Sequence, residues 1–165
     1  MTLQELNGLD QAALRKVLQD SCGSRVWVEK MMTVFPVATR ETLLDEAHRA
    51  WHACGKRDWL EAFVQHPRIG HLESLKKKYA GTGASMEQAG ALEASLLILE
   101  ALAEGNHVYE ERFGYIFIVC ATGKTAEEML RLLRERIDHD PDKEIYVAME
   151  EQEKITRLRL EKLLS

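Results

Sequence analysis

The chain has 165 residues, 45% of them apolar and 30% charged, a composition suited to a globular fold with a sizeable core and unlike a disordered chain. Its 22 Lys and Arg are outnumbered by 27 Asp and Glu, for a net charge of −5, which argues against a general nucleic-acid binder. The longest apolar run, Tyr115 to Ala121, has seven residues, far short of the ~18 that a membrane helix needs.

The first ten residues, MTLQELNGLD, lack the basic and apolar regions of a secretory leader, and the final RLEKLLS matches no retention or peroxisomal address. Cys22, Cys54 and Cys120 are odd in number and form no C-x-x-C. Reduced thiols in a cytoplasmic protein are therefore expected.

Periodicity predicts an all-α, single-domain bundle of about eight helices over residues 1–165. Thr2-x-x-Glu5 has capping-box spacing, in which each side chain takes an amide of the other residue. Asp10 is placed to cap a second helix, with Leu14, Val17 and Leu18 on one face, and Ser24 a third. Thr39 opens a run whose apolar face is Leu43, Leu44, Ala47, Ala50 and Trp51, with Gly55 to stop it. Asp58 is read as the cap of a short helix that His66-Pro67 must end, since the residue before a proline avoids helical angles.

From His66 to Gly83 three glycines, a proline and Lys76-Lys77-Lys78 suggest a short helix between two loops. A long helix starts near Ser85, with Leu92, Leu96, Leu99, Ala103 and Val108 as its stripe. YIFIVCA, residues 115–121, has strand propensity, yet no second strand-like run is there to pair with it. It is read as a buried extended connector. Thr125-x-x-Glu128 is a further capping box, and Asp140-Pro141 starts the last helix.

Several motifs reduce to structure. Gly123-Lys124-Thr125 lacks the glycine that a phosphate loop needs at position 118, which is Ile, and so reads as a helix cap. His48 and His52 have metal-ligand spacing, but Arg49 excludes H-E-x-x-H and the sequence shows no third ligand; an exposed helix face is expected, and no metal. Lys76 to Lys78 reads as a solvated face without the interleaved aromatics of a single-strand binder. His66 is the residue of most chemical interest, because imidazole exchanges protons near neutrality and Pro67 fixes the backbone beside it.

Taken together, WLEAFVQHPRIG (Trp59 to Gly70), S-M-E-Q (Ser85 to Gln88), Tyr109, Phe113-Gly114 and FIVCATG resemble the 2-oxo-4-hydroxy-4-carboxy-5-ureidoimidazoline (OHCU) decarboxylase family. CGSRVWVEKM near the start and KITRLRLEKLL near the end are also similar to it. The resemblance implies an all-helical homodimer, without metal or organic cofactor, that converts OHCU to (S)-allantoin and carbon dioxide in urate catabolism. It places the catalytic histidine at His66 and the catalytic acid at Glu87. Substrate binding falls on Pro67, on Ala84, Ser85, Met86 and Gln88, on Phe117, Ile118, Val119, Cys120 and Ala121, and on Arg159, with Arg157 a near neighbour. The sequence departs from the family pattern at Phe35-Pro36-Val37 and at His71, where the family commonly has Asp. Two rivals stand beside this reading: a non-catalytic helical interaction module, and a metal-dependent hydrolase using His48, His52, His66 or His71.

Overall fold

A computed structural model of the chain describes residues 1–66 and 89–165, with 89–94 as main chain only. Among the described residues there are eight helices and no strand. They are α1 (Leu3–Asn7), α2 (Gln11–Ser21), α3 (Arg25–Met32), α4 (Arg40–His52), α5 (Lys56–Val64), α6 (Ala89–Phe113), α7 (Ala126–Ile137) and α8 (Pro141–Leu163). The short helix expected after His66, the opening of the long helix at Ser85, and Lys76 to Lys78 lie outside the described residues. So do Pro67, Ala84, Ser85, Met86, Glu87 and Gln88. No helix among the described residues is long and apolar enough to cross a membrane. The chain forms two compact units, residues 1–66 with 147–165, and residues 67–146.

In the first unit the helix starts follow local chemistry. Thr2 Oγ1 accepts from the Glu5 amide (3.1 Å) while Glu5 accepts from the Thr2 amide (2.7 Å). Asp10, Ser24 and Thr39 each accept from the amide three residues on. Each such cap satisfies an orphan donor and is worth about 1 kcal/mol. One expected cap is corrected. Helix α5 starts at Lys56, with Gly55 as its N-cap, and Asp58 sits in the first turn, where its carboxylate reaches back to the Gly55 amide (2.9 Å). A first-turn acid and an N-cap acid both relieve exposed amides, and short-range spacing does not separate them.

The predicted apolar face of α4, from Leu43 to Trp51, is buried throughout. All three tryptophans donate to main-chain carbonyls within this unit: Trp27 to Ala47 (3.1 Å), Trp51 to Met149 (2.9 Å) and Trp59 to Trp51 (3.3 Å). A buried indole needs such a partner, so these bonds fix how the helices pack as well as how much they bury. Gly23, between α2 and α3, has a packing reason: a methyl here would lie 2.2 Å from Gln65 Cγ and 2.8 Å from Gln65 Cβ. Only a glycine lets that turn lie against the end of α5, next to His66.

In the second unit α6 and α7 pack around a core of Leu99, Leu102, Tyr109, Met129, Leu130 and Leu133. Val108 is 42% exposed, so the predicted stripe of α6 slips at its C-terminal end. The buried face runs through Leu102, Gly105 and Tyr109; a methyl on Gly105 would lie 2.7 Å from Leu133 Cδ2. Glycine is thus the contact point at which α7 approaches, and an apolar count passes over it. Gly114 closes α6 at φ +81°, an angle that favours glycine. Residues 116–121 then run outside any helix and unpaired by any sheet, with Phe117 to Cys120 buried. The expected connector is there. Gly123 turns the chain at φ +75°, and Thr125 and Glu128 complete the capping box of α7 (3.1 and 3.4 Å).

Candidate active site

His66 stands two residues beyond the end of α5, its amide bonded to the Phe63 carbonyl (3.2 Å). Its ring is half-buried in the first unit, and Nε2 donates to Oε1 of Gln152, a fully buried residue of α8. The Gln152 amide nitrogen in turn donates to Thr156 Oγ1 (3.1 Å). The Gln152 amide thus turns its nitrogen to Thr156 and its oxygen to the ring. That geometry assigns the proton of neutral His66 to Nε2 and leaves Nδ1 as the acceptor.

Burial is the main influence on His66 and holds it below its ordinary value of 6.5; the charge of Arg159 acts the same way, and the Gln152 hydrogen bond opposes both. The ring is neutral at pH 7 and suited to accept a proton. Beside this chain, burial pushes the Cys22 thiol up to about 11 against hydrogen bonds from Ser24 and Thr156, so it is no thiolate nucleophile. Cys54 rises to about 11 for the same first cause. All three cysteines are buried, as expected for structural thiols.

Arg159 is exposed in the same unit, with Nη1 donating to the Ser21 carbonyl (3.3 Å). Arg157 is engaged with Glu161 (3.0 Å). The sequence thus names His66 and Arg159, and the structure brings them within electrostatic reach of each other. Phe117, Ile118, Val119 and Cys120 are buried in the connector of the second unit, and Ala121 is half-buried. Arg136 anchors this connector. Its Nη1 donates to the Ile118 carbonyl (2.6 Å), its guanidinium lies 4.5 Å over the Phe117 ring, and its Nε pairs with the buried Glu144 (2.7 Å).

A family model described as OHCU decarboxylase matches residues 7–161. The chain belongs to the OHCU decarboxylase family. It is 38% identical over 146 residues to the uric acid degradation bifunctional protein TTL of Arabidopsis thaliana, covering 87% of this chain and 45% of that protein. The chain therefore spans less than half the length of that relative. It is 24% identical over 161 residues to the 2-oxo-4-hydroxy-4-carboxy-5-ureidoimidazoline decarboxylase of Haloferax volcanii, with 97% and 94% covered. Among solved structures, an OHCU decarboxylase crystallised in the presence of (S)-allantoin matches with a TM-score of 0.72 at 37% identity, covering 88% of this chain and 95% of that one. The all-α architecture is thus that of OHCU decarboxylases.

Gln152 was not legible as a site residue by motif, but it carries a signal. It falls on the buried stripe of α8 between Met149 and Thr156, where an apolar side chain would be the default. A fully buried amide there has a partner to serve. Gln152→Leu removes the bond that raises the His66 pKa, so the acid limb of kcat/KM moves to lower pH. Gln152→Glu places a carboxylate against Nε2 and moves it to higher pH. Paired pH–rate profiles check both signs; a limb unmoved in either variant would contradict the assigned contact.

Proposed function

We propose that this OHCU decarboxylase family member converts OHCU to (S)-allantoin and carbon dioxide in urate breakdown. The match of the family model to residues 7–161 carries this reading. In OHCU the carboxylate is borne next to a carbon conjugated with a ring C=N. When the C–C bond breaks, its electron pair passes into that C=N unit. The substrate is its own electron sink, and the reaction calls for no cofactor. What remains for the protein is to hold the carboxylate, stabilise the electron-rich intermediate and direct one proton to one face of the new carbon centre.

His66 serves the proton transfer, at the 4-hydroxyl or at the new carbon centre. Its neutral ring, with Nε2–H held by Gln152, supports the acceptor role for Nδ1. Glu87, as the second catalytic residue, and Gln88 take the ureido and ring N–H groups, for which a carboxylate and an amide oxygen are matched acceptors. Pro67, Ala84, Ser85 and Met86 are further substrate-binding positions in this reading. Main-chain amides from Phe117 to Ala121 bind substrate oxygens, and Arg159 pairs with a substrate anion. The working form in this reading is a cytoplasmic homodimer, each chain a single domain over 1–165.

Circular dichroism of the product tests the function. OHCU is generated in situ from urate by urate oxidase and the hydrolase that opens 5-hydroxyisourate. Added protein is expected to give rapid formation of one optically active allantoin. Slow racemic product, unchanged by the protein, would refute the activity and bring the interaction-module reading forward.

A further inference from the structure

His48 and His52 lie one turn apart on α4, their ring centroids 4.2 Å apart. The sequence shows no third ligand near them, because that ligand is about a hundred residues further on. Glu153 of α8 sets one carboxylate oxygen against His48 Nδ1 and the other 2.9 Å from His52 Nε2. One potential ligand atom from each of the three residues can be chosen so that all lie within 4.8 Å of one another. Four-coordinate zinc, with bonds of ~2.0–2.2 Å to imidazole and carboxylate, needs ligand atoms roughly 3.3–3.5 Å apart. Small rotations of exposed side chains reach that spacing. The cluster borders a recess of about 230 Å³, lined also by Asp45, Trp51 and Thr156, with room for a completing water.

We propose that His48, His52 and Glu153 form a binding site for a divalent transition-metal ion that clamps α4 to α8. Two imidazoles and one carboxylate select zinc, nickel, copper or cobalt over calcium and magnesium, which take oxygen ligands. The ion takes the ring nitrogens that face the carboxylate, so each neutral imidazole binds as the tautomer that carries its N–H on the other nitrogen. The site does not depend on the decarboxylase reading: none of its three residues belongs to the proposed catalytic set, so its test needs no substrate.

Tag-free protein titrated with zinc chloride in a calorimeter is expected to bind one equivalent. Cobalt chloride is expected to give a visible absorption band of a coordinated ion. Zinc at a hundredfold excess over its Kd should raise Tm by roughly 5–10 °C. His48→Ala, His52→Ala and Glu153→Gln, each confirmed folded by far-ultraviolet circular dichroism, should each weaken binding about tenfold or more. Since the three positions are at least partly exposed, their loss should leave the fold intact. No uptake of either metal at about 1 mM would overturn the site and leave only a hydrogen-bonded cluster. Unchanged affinity in all three variants would overturn it equally, by placing the metal elsewhere.

Discussion

His66→Asn is expected to lower kcat for OHCU decarboxylation by roughly 10²–10⁴-fold, the usual worth of a positioned acid–base group. Asparagine is polar and smaller than the ring, so the half-buried position accepts it, but its amide stops short of the Nε2 position and the bond to Gln152 is lost with the titrating ring. Far-ultraviolet circular dichroism should therefore show an intact fold. The wild-type pH profile supplies the second half of the result. Burial depresses the His66 pKa, so the neutral base persists through pH 7, and kcat/KM should fall only on the acid side, below 6.5. The same depression sets the sign for stability. Below about 6.5 the unfolded chain takes up a proton that the folded His66 resists, so this residue's contribution to stability declines as pH falls. A variant within ~3-fold of wild type, or a rate flat from about pH 5 to 9, would remove His66 from the chemistry.

Arg136→Ala is expected to cost about 3–5 kcal/mol, because it removes the guanidinium from the fully buried Glu144 carboxylate and leaves His139 Nδ1, 3.5 Å away, beside it. For a chain of this length that lowers Tm by roughly 6–20 °C in a thermal melt. The same truncation frees the Ile118 carbonyl and uncovers the Phe117 ring. The double variant Arg136→Met with Glu144→Leu removes both charges and should regain most of the stability, as buried pairs replaced by packed apolar groups commonly do. It does not restore the hold on Ile118. If the connector binds substrate, KM should stay raised in the double variant after Tm has recovered. Full recovery of both would limit Arg136 to a structural role.

How much of this was legible in the sequence depended on the range of the interaction involved. Caps at Thr2, Asp10, Ser24, Thr39 and Thr125 reach three residues, and the sequence displays both partners of each. The buried face of α4 follows from helical period alone. The connector at 115–121 was readable by elimination, since a strand without a partner cannot satisfy its main chain. His66 stood out by residue type and by the motif around it.

Other features needed tertiary packing. Val108 faces outward because Gly105 is where α7 closes in, and a count of apolar side chains gives a glycine no weight. Gln152 against His66, Glu153 against His48 and His52, and Arg136 on Ile118 join positions 18 to 105 residues apart. Helical period fixes which face each residue occupies. Which faces then meet, and which polar groups find partners there, is decided by the packing of whole helices, and so the protonation state of His66 was set by tertiary structure after the sequence had named the residue.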